Sequence, residues 1–416
     1  MKMVKSHKEK PQHAPITGFP LRNGELTVGG IKISRLANRV GSTPFYACDR
    51  DLITARIDAM RKYLPKQVKL HYAMKANPMP AVVQHVSRNI DGLDLASAGE
   101  MAVALDSGMD PACISFAGPG KTRAELSQAI AAGVVINIES ATEMENIARI
   151  SAGQGVKARL SVRVNPDFEL KSSGMKMGGG PKQFGIDAEQ VPELLRRLGQ
   201  LDVDFTGFHI FSGSQNLSEQ SLLETQQKTL DLALSLAEFA PTLPKKVNIG
   251  GGFGIPYFPG DKPLDLKILG AGLAGMLGKF ARKLPETEVI LELGRYIVGE
   301  AGVYVSRVID KKISRGETYL VTDGGMHHHL ALSGNFGQLI RKNYPVAIGN
   351  RMDSADREQV NIVGCLCTPL DRLGDKMMLP RAEIGDLVVV FQSGAYGLTA
   401  SPTAFLGHPA PHEILV

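Results

Sequence analysis

The amino-acid sequence predicts an α/β protein in which a (β/α)8 barrel is followed by a β-rich domain. Between about residues 66 and 300, eight short β-rich segments alternate with longer segments whose apolar residues recur at helical spacing, as in 218–239. After about residue 300, β-rich segments continue without helical segments of similar length between them. These two patterns favour a TIM-type barrel with a C-terminal sandwich or Greek-key domain, and an open doubly wound sheet is the alternative for the first part.

The predicted barrel strands are short apolar and β-branched runs, as expected for parallel strands that are covered on both faces. In chain order they are V-K-L-H-Y-A-M-K-A-N, D-G-L-D-L-A-S, C-I-S-F-A-G-P-G, V-V-I-N-I-E-S, A-R-L-S-V-R-V-N, F-T-G-F-H-I-F-S-G, K-V-N-I-G-G-G-F-G and E-V-I-L-E-L-G-R. Near the N-terminus, E-L-T-V-G-G-I-K-I-S predicts a β hairpin. We therefore divide the chain into a tail and hairpin that join the β-rich domain (1–45), the barrel (46–300) and the β-rich domain itself (301–416).

The composition is that of a globular protein with two domains, because 416 residues are too many for one ordinary core. The 47 basic and 42 acidic side chains give a net charge of +5 without a dense basic stripe, which argues against a nucleic-acid partner. No apolar stretch is long enough to span a membrane, and the N-terminus lacks the apolar core of a signal peptide. Four cysteines are too few for a disulfide framework, so we expect a cytoplasmic location.

Polar residues or glycines stand at the C-terminal end of every predicted barrel strand. In a barrel these ends lie on one rim and surround the active site. They are Lys75, Asp94 with Ser97, Gly118, Glu139, Arg163 with Asn165, His209, Gly250–Gly252, and Glu292 with Arg295. One polar strand end is common, but eight together predict a functional site.

Lys75 lies in an otherwise apolar run, H-Y-A-M-K-A-N, that is typical of a buried strand. Lysine is almost never fully buried unless a partner neutralises it or a reaction removes its charge. One interpretation is a strand end from which the ammonium group reaches solvent. The other is a lysine held as a Schiff base, which is uncharged and tolerates burial.

The run N-I-G-G-G-F-G after the seventh strand predicts a phosphate site, because barrel enzymes commonly bind phosphate in the loops after strands seven and eight. Gly250–Gly252 would let backbone N–H groups approach phosphate oxygens, and Arg295 would add a charged contact. A tight turn without a ligand is the alternative. Glu292 lies in the apolar run L-E-L-G and needs a cationic partner, which a protonated ring nitrogen would supply.

His209 lies between two aromatic residues in F-H-I-F-S-G-S-Q, close to Ser212 and Ser214. A lone histidine in a strand is more often a satisfied core residue, but these neighbours favour a site for a flat ligand. A lysine, an acid, a flat contact surface and a phosphate cup are the groups that pyridoxal 5′-phosphate requires. We therefore predict that this cofactor binds here and that Lys75 forms the Schiff base.

Several motifs, in order from about residue 45 to 400, resemble the fold-type III pyridoxal-phosphate decarboxylases typified by ornithine and diaminopimelate decarboxylases. Y-A-M-K-A-N resembles the cofactor-lysine strand, and D-L-A-S-A-G-E resembles the next element of that family. F-H-I-F-S-G-S resembles the strand whose histidine stacks on the pyridine face. The phosphate loop of the family resembles G-G-G-F-G, and the segment that binds the ring nitrogen resembles E-L-G-R. The motif of its catalytic cysteine resembles G-C-L-C-T-P-L-D. The motif of its phosphate-contacting tyrosine resembles S-G-A-Y-G.

The resemblance implies a complete set of site residues. The implied catalytic residues are Lys75, Cys367, His209 and Glu292. The implied cofactor-binding residues are Lys75, Asp94, Ser97, His209, Ser212, Gly250, Gly251, Gly252, Glu292, Gly294, Arg295 and Tyr396. It also implies a homodimer, in which Cys367 and its neighbours reach into the partner's barrel and the C-terminal domain completes a shared active site.

The substrate side departs from the family in one place. Thr368 follows the cysteine where amine-selective members carry an acidic residue, so the carboxylate that would hold a distal ammonium group is missing. Asp323, in T-D-G-G-M, resembles another substrate-side acid, and Arg163 is the third predicted substrate contact. The arginine element that grips diaminopimelate is not recognisable around M-H-H-H-L-A-L-S-G-N-F. Free diaminopimelate, lysine and ornithine are therefore the alternative substrates.

The runs H-I-F-S-G-S-Q-N-L and C-T-P-L-D are most similar to the subgroup of exosortase-system-associated and carrier-protein-glutamate decarboxylases. This resemblance implies an amino acid that is presented on the phosphopantetheine arm of an acyl carrier protein. Lys171, Lys176 and Lys182, in the loop L-K-S-S-G-M-K-M-G-G-G-P-K, could meet an acidic carrier, and a mobile lid with solvated lysines is the alternative.

The implied reaction is the decarboxylation of an amino acid whose amine displaces Lys75. Cys367 of the neighbouring subunit, or Lys75, would then protonate the carbanion as a general acid. An amino-acid racemase is one rival, but racemases that resemble this architecture place an arginine at the ring nitrogen, where this sequence has Glu292. An inactive decarboxylase-like regulator is another rival, but it should have lost cofactor residues that this sequence keeps.

We predict no metal site from the sequence. The run His327-His328-His329 invites one, but consecutive side chains of a strand alternate between faces and cannot all reach one ion. The separate ligands that zinc needs are not apparent. Cys365 and Cys367 could share one face of a strand, but without a second pair they are a weak metal signal.

Overall fold

The structure is a computed structural model that describes residues 11–169, 175–334 and 341–416. Lys171 and the side chain of Lys176, which the sequence assigns to a carrier-binding loop, lie outside the described residues. Within the described ranges, no helix is both long enough and apolar enough to cross a membrane.

Eight parallel strands of the described chain close into a barrel, which confirms the predicted fold class against the open sheet. Each strand pairs with the next one along the chain, and the eighth pairs with the first, so that Val289 lies opposite Val68. The strands are Val68–Ala73, Gly92–Leu95, Ile114–Phe116, Val135–Ile138, Arg159–Asn165, Asp204–Ile210, Lys246–Gly251 and Glu288–Leu293.

A helix follows each of the first seven barrel strands, and the buried apolar residues of these helices join the barrel core. The helices are Pro80–Ser87, Ala98–Asp106, Arg123–Ala132, Ala141–Gln154, Val191–Leu198, Glu219–Ala237 and Leu266–Phe280, and Arg50–Tyr63 precedes the first strand. Four of them begin at a serine or threonine cap, since Ser97, Thr122, Ser140 and Ser218 accept a hydrogen bond from the backbone N–H three residues further on. Such caps satisfy backbone donors that a helix leaves unpaired. After the eighth strand, only the short helix Arg295–Val298 forms before the chain enters the second domain.

The barrel interior below the predicted site is polar. A small cavity of about 30 Å³ is lined by residues that include His71, Asp94, Ser115 and Asn137. Ser115 donates a hydrogen bond to Asp94, and Asn137 Nδ2 donates to Ser115 Oγ at 3.2 Å. Because buried polar groups need partners, these hydrogen bonds fix strand side chains directly beneath the rim.

The second domain is built on a mixed β-sheet, which contains both antiparallel and parallel strand pairs. Its strands include Gly302–Ser314, Glu317–Thr322, Val346–Ile348, Arg357–Val363, Arg372–Pro380 and Leu387–Val390. The strand Phe45–Cys48 pairs with Gly302–Ser314 on one side and with His412–Leu415 on the other. The last described strand, His412–Leu415, therefore lies in this sheet beside Phe45–Cys48, which crosses the boundary at 45/46 that the sequence suggests.

The strands Glu25–Val28 and Ile31–Lys32 form a hairpin. The hairpin lies against the second domain, where the backbone N–H of Leu26 donates to the carbonyl oxygen of Gly349 at 2.8 Å. Leu26 is buried in the same apolar cluster as Val303. Burial of these apolar side chains holds the N-terminal segment on the second domain.

The segment His327–His329 forms a turn, so the prediction that these side chains alternate between the faces of a strand is wrong. The preceding strand ends at Thr322. The backbone N–H groups of His328 and His329 both donate to the carbonyl oxygen of Gly325, at 3.0 and 3.1 Å. All three histidines are buried in this turn.

Candidate active site

A cavity of about 400 Å³ opens at the C-terminal rim of the barrel, and we call it the rim cavity. This volume is typical of a small-molecule site. Its walls include five of the predicted polar strand ends, from the first, second, third, fifth and eighth strands. These residues are Lys75, Asp94, Gly118, Arg163 and Glu292.

Lys75 lies in the short turn Met74–Ala76, immediately after the first barrel strand has ended at Ala73. Its neighbours are buried, whereas Lys75 itself is exposed and its Nζ lies 5.4 Å from the centre of the Phe211 ring. A Cβ atom on Gly294 would lie 2.9 Å from the carbonyl oxygen of Ala73, so the end of the eighth strand packs directly against this turn. The expectation that Lys75 lies in a buried strand is wrong, because the chain turns before it reaches the lysine.

Glu292 and His209 form a buried hydrogen-bonded pair at the base of the rim. His209 Nε2 donates to Glu292 Oε2 at 2.9 Å, and Asn248 Nδ2 donates to the same oxygen at 3.3 Å. Burial alone would raise the pKa of Glu292, but the hydrogen bond from His209 and the nearby positive charges, including Lys75, outweigh it and lower the pKa to about 2. Glu292 is therefore an ionised carboxylate at neutral pH and can hold a proton on a ring nitrogen.

Arg163 and Glu139 form an ion pair at the rim. Arg163 Nη1 donates to Glu139 Oε1 at 2.9 Å, and the guanidinium carbon lies 5.0 Å from the centre of the Phe184 ring. The backbone N–H groups of Gly118 and Gly185 also donate to Glu139, at 2.6 and 3.0 Å. Burial raises the pKa of Glu139, but Arg163 and these N–H groups lower it below its ordinary value. The predicted substrate residue Arg163 is thus held in one orientation at the cavity wall.

Close packing and backbone conformation both require glycine in the run after the seventh strand. A Cβ atom on Gly251 would lie 2.0 Å from the carbonyl oxygen of Glu292. Gly250 and Gly252 have φ angles of +68° and +79°, which residues with side chains rarely adopt. The run therefore lets the backbone of the seventh strand turn tightly beside the eighth.

Buried polar atoms without partners mark a place where an anion fits. Within the described residues, Ser212 Oγ and Arg295 Nε are buried and have no hydrogen-bond partner. Arg295 Nη1 donates to the hydroxyl of Tyr257 at 2.9 Å, and its guanidinium carbon lies 4.5 Å from the centre of the Tyr396 ring. The backbone N–H of Tyr396 donates to the carbonyl oxygen of Ala76 at 2.7 Å, which ties this tyrosine to the turn of the lysine.

The residues present fit pyridoxal 5′-phosphate. The exposed amine of Lys75 matches the aldehyde, the ionised Glu292 matches the ring nitrogen, and the unpaired donors of Ser212 and Arg295 match the phosphate. The structure pairs His209 directly with Glu292, whereas the sequence predicts that the histidine stacks on the cofactor ring. The stacking role stays a prediction.

Asp94 and Ser97, which are both predicted cofactor contacts, have different environments. Asp94 is buried, its Oδ1 lies 3.3 Å from His71 Nδ1, and its Oδ2 has no hydrogen-bond partner among the described residues. Ser97 accepts a hydrogen bond from the backbone N–H of Glu100 at 3.2 Å and so caps the helix Ala98–Asp106. The structure therefore gives the Ser97 hydroxyl a capping role, and its contact with the cofactor stays a prediction.

Four predicted site residues of the second domain, namely Asp323, Cys367, Thr368 and Tyr396, are not among the described residues that line the rim cavity. Cys367 is exposed, and Thr368 is half-buried in the same loop. Asp323 accepts hydrogen bonds from the hydroxyl of Thr43 and from the backbone N–H of Arg307. The role of Cys367 in the rim cavity of a partner subunit stays a prediction.

Sequence reasoning missed Asn248, identified Glu139 only as a polar strand end, and noted Phe211 only as one of two aromatic neighbours of His209. Asn248 had a signal, because it is a polar residue in a buried strand immediately before the glycine run. The pairing of Glu139 with Arg163 follows from the parallel register of the fourth and fifth strands. Such a register is set by tertiary structure, so the sequence alone did not indicate this pair.

Known proteins resemble this chain over most of its length. Residues 50–299 match the sequence model of the family described as "Pyridoxal-dependent decarboxylase, pyridoxal binding domain". The chain is 39% identical over 391 residues to the L-glutamyl-[BtrI acyl-carrier protein] decarboxylase of Niallia circulans, and the match covers 92% of this chain and 91% of that protein. It is 31% identical over 405 residues to the diaminopimelate decarboxylase of Archaeoglobus fulgidus, covering 96% of this chain and 93% of that protein.

The fold also matches a solved structure of the same kind. The crystal structure of a diaminopimelate decarboxylase from M. jannaschii has a TM-score of 0.87 with this chain at 25% identity, covering 96% of this chain and 93% of that one. The family match extends over more than half of the chain and includes Lys75, His209 and Glu292. This chain therefore belongs to the pyridoxal-dependent decarboxylases and is a carboxy-lyase whose cofactor is pyridoxal 5′-phosphate.

Proposed function

We propose that this enzyme removes the α-carboxylate of an amino acid that is presented on an acyl carrier protein. The observation that carries the proposal is the 39% identity, over 92% of the chain, to a decarboxylase named for a carrier-bound L-glutamyl substrate. Thr368 supports it, because amine-selective members of the family have an acid there to hold a distal ammonium group. An amino acid whose distal end is joined to a carrier has no free group for such an acid to bind.

The rim residues supply positions and charges for this reaction. The cofactor, when bound, supplies an electron sink for the pair that is released as the carboxylate leaves. Lys75 supplies the amine that holds the cofactor until the substrate amine replaces it. Glu292 keeps a proton on the ring nitrogen, and the hydrogen bond from His209 fixes the orientation of that carboxylate.

Arg163 is suited to orient the substrate. Its guanidinium group has five N–H donors, of which Nη1 is bound to Glu139. The pair is held by Phe184 and by two backbone N–H groups, so the charge of Arg163 stays at the wall of the rim cavity. We assign it to the positioning of the bound substrate.

The general acid in this proposal is Cys367 of a partner subunit. Cys367 is exposed and is not among the described residues that line the rim cavity of its own chain. A homodimer in which each subunit lends this loop to the other would complete two equivalent sites.

Mixing two inactive variants tests the shared site. Lys75→Ala and Cys367→Ala proteins are each expected to be inactive. After subunit exchange, random pairing should restore about one quarter of the wild-type activity, since half of the dimers are mixed and one of their two sites is intact. No recovery despite measured exchange would contradict a shared site.

The surface beside the rim offers a carrier contact at Lys182. Lys182 and Glu139 line the same surface pocket, so this lysine stands close to the rim. Lys182 is half-buried at this surface, and because acyl carrier proteins are acidic, its positive charge would favour their approach. Lys182→Glu should raise the KM for a carrier-bound substrate several-fold, whereas the exposed Lys262→Glu should leave it unchanged.

The substrate proposal is tested with cofactor-loaded protein and two matched panels. One panel contains free amino acids, and the other contains the same amino acids as thioesters on the phosphopantetheine arm of an acyl carrier protein. Loss of carbon dioxide is measured by mass. We expect turnover only in the tethered panel and none with Lys75→Ala. Borohydride reduction followed by a mass shift on the Lys75 peptide checks the cofactor attachment independently of any substrate.

Decarboxylation of a free diamino acid is the second candidate function. The 31% identity over 96% of the chain to a diaminopimelate decarboxylase favours it. Turnover of free diaminopimelate, lysine or ornithine, with the tethered panel inert, would replace the carrier proposal. Thr368→Asp separates the two further, because a new carboxylate should improve turnover of free diamino acids and not of tethered substrates.

A further inference from the structure

Three side chains from distant parts of the sequence meet in the second domain. His327, Cys365 and His408 each offer one nitrogen or sulfur atom, and these three atoms all lie within 4.8 Å of one another. Cys365 Sγ lies 3.9 Å from His408 Nδ1. Two imidazoles and a thiol are a common set of protein ligands for zinc. None of the three residues is part of the rim cavity.

His327 has no other use for its polar atoms. The side chain is 0% exposed, and within the described residues neither ring nitrogen has a hydrogen-bond partner. An unpaired buried polar group costs about 1–3 kcal/mol. The ring contacts the rings of His328 and His408, with centroids 3.6 and 5.2 Å away, but such contacts do not satisfy a ring nitrogen. A bound cation would accept one of these lone pairs.

Asp371 holds two of the three segments in place. Its Oδ1 accepts a hydrogen bond from the backbone N–H of Met326 at 2.6 Å, next to His327. Its Oδ2 accepts one from the backbone N–H of Leu366 at 2.8 Å, next to Cys365. One carboxylate therefore fixes the two backbone segments that carry the first two ligands.

The approach of Asp371 depends on two glycines. A Cβ atom on Gly325 would lie 2.2 Å from Asp371 Oδ1, and one on Gly364 would lie 2.2 Å from Oδ2. Any side chain at either position would push the carboxylate away. Glycine at positions 325 and 364 therefore permits a close approach of the Asp371 carboxylate that larger residues would prevent.

The third segment is held through His328. Its Nε2 lies 2.9 Å from the carbonyl oxygen of Pro409, the residue after His408. The hydroxyl of Tyr46 donates to the carbonyl oxygen of His328 at 2.7 Å. All three ligand-bearing segments are therefore tied down by hydrogen bonds from groups other than the ligand atoms. Hydrogen bonds of this kind orient ligands in known metal sites. Among the ligand atoms, Cys365 Sγ also lies 3.6 Å from the carbonyl oxygen of Asp323, a contact that a zinc-bound thiolate would give up.

We propose that His327, Cys365 and His408 bind a zinc ion. Ligand atoms of tetrahedral zinc lie about 3.3–3.6 Å apart, given Zn–N near 2.0–2.1 Å and Zn–S near 2.3 Å. The 3.9 Å between Cys365 Sγ and His408 Nδ1 is close to this spacing, and the two distances to His327 are no longer than 4.8 Å. The fourth position is left to water or to a group from outside the chain.

The zinc ion would link the C-terminal segment to the loop that carries Cys367. Cys365 precedes Cys367 by two residues, so an ion bound to Cys365 restrains this loop. The expectation from sequence that the second domain has no metal site rested on a strand geometry that the structure replaces with a turn. The site is proposed on geometry alone and does not depend on the identity of the substrate.

Metal content of the purified, cofactor-loaded enzyme tests the proposal. The protein is kept reduced with a phosphine, loaded with zinc, freed of excess metal and measured for zinc per chain, and affinity is determined by competition with a chromophoric chelator. We expect one zinc per chain. His327→Ala and Cys365→Ser should each weaken binding by about 100-fold or more, beyond the ~10- to 100-fold effect of changes outside the ligand set. The exposed His412→Ala and the cysteine control Cys113→Ser should keep wild-type affinity.

A test on the wild-type enzyme covers the case in which a ligand variant does not fold. Cysteine alkylation is mapped by mass spectrometry with zinc and after chelation. Zinc should protect Cys365 and leave Cys113 equally labelled in both states, and cobalt in place of zinc should give a thiolate-to-metal charge-transfer band. Equal labelling of Cys365 with and without zinc would overturn the proposal. Stoichiometric zinc that persists in folded His327→Ala and Cys365→Ser proteins would overturn it as well.

Discussion

Replacing Glu292 with glutamine removes one charge from the buried pair with His209 and nearly preserves the shape of the side chain. In the wild type, the pKa of this carboxyl is lowered from its ordinary 4.5 to about 2, because the hydrogen bond and positive charges outweigh the effect of burial. A difference of 1 in pKa corresponds to about 1.4 kcal/mol, so the ionised Glu292 contributes about 3 kcal/mol to the free energy of unfolding at neutral pH. The variant should lose a contribution of this order.

The sign of the pH dependence follows from the lowered pKa. A carboxyl that is more acidic in the folded state stabilises the protein fully above the pKa of the unfolded chain, and this stabilisation is lost as the pH falls toward the folded value. Linkage predicts that about 1 kcal/mol is lost by pH 4 and about 2 kcal/mol by pH 3. The unfolding free energies of wild type and Glu292→Gln should therefore converge as the pH is lowered from 7.

The assay is urea unfolding of the cofactor-free protein at a series of pH values and at one protein concentration, because assembly changes apparent stability. The matched control is Glu286→Gln, which changes an exposed carboxylate in the turn before the same strand. The unfolding free energy of the control should change with pH in the same way as that of the wild type. If the unfolding free energy of Glu292→Gln also changes with pH as that of the wild type does between pH 7 and pH 4, the pair with His209 does not hold this carboxylate in its ionised form.

Three further substitutions separate structural from cofactor roles. Gly251→Ala places a Cβ atom 2.0 Å from the carbonyl oxygen of Glu292, so urea unfolding should show a loss of about 1–3 kcal/mol. Arg295→Met removes a charge-assisted phosphate contact worth about 1.5–3 kcal/mol, so a titration of the cofactor's absorbance should show affinity weakened about tenfold to a hundredfold. Ser97→Ala removes the hydroxyl that accepts from Glu100, so stability should fall by about 1 kcal/mol with unchanged cofactor affinity. A tenfold loss of cofactor affinity in Ser97→Ala would show that this hydroxyl contacts the cofactor.

Local patterns of the sequence were sufficient to predict the barrel and the place of its active site. A parallel strand that is covered on both faces is mostly apolar, as in Val135–Ile138 and Glu288–Leu293. In a closed parallel barrel, all C-terminal strand ends lie on one rim, so residues at these ends converge whatever their separation in the chain. Lys75, Arg163 and Glu292 were identified in this way, and the structure places all three in the walls of one cavity.

The partners of the charged side chains could not be predicted. The sequence assigned His209 to the cofactor and left Glu139 without a partner, whereas the structure pairs His209 with Glu292 and Glu139 with Arg163. Register between neighbouring strands decides which side chains face each other, and a displacement of one residue sends every side chain to the opposite face. Such pairings therefore form only when the strands have assembled.

The points at which strands end were also decided by tertiary contacts. The sequence predicted strands at Lys75 and at His327, and the structure has turns at both, held by contacts such as the hydrogen bond from Met326 to Asp371. The fold and the cofactor chemistry follow from short patterns that recur in every strand, and local sequence specifies such patterns. Only the folded structure could show the charged side-chain pairs of the rim and the cluster of His327, Cys365 and His408. Residues far apart in sequence come together only when the elements between them have packed.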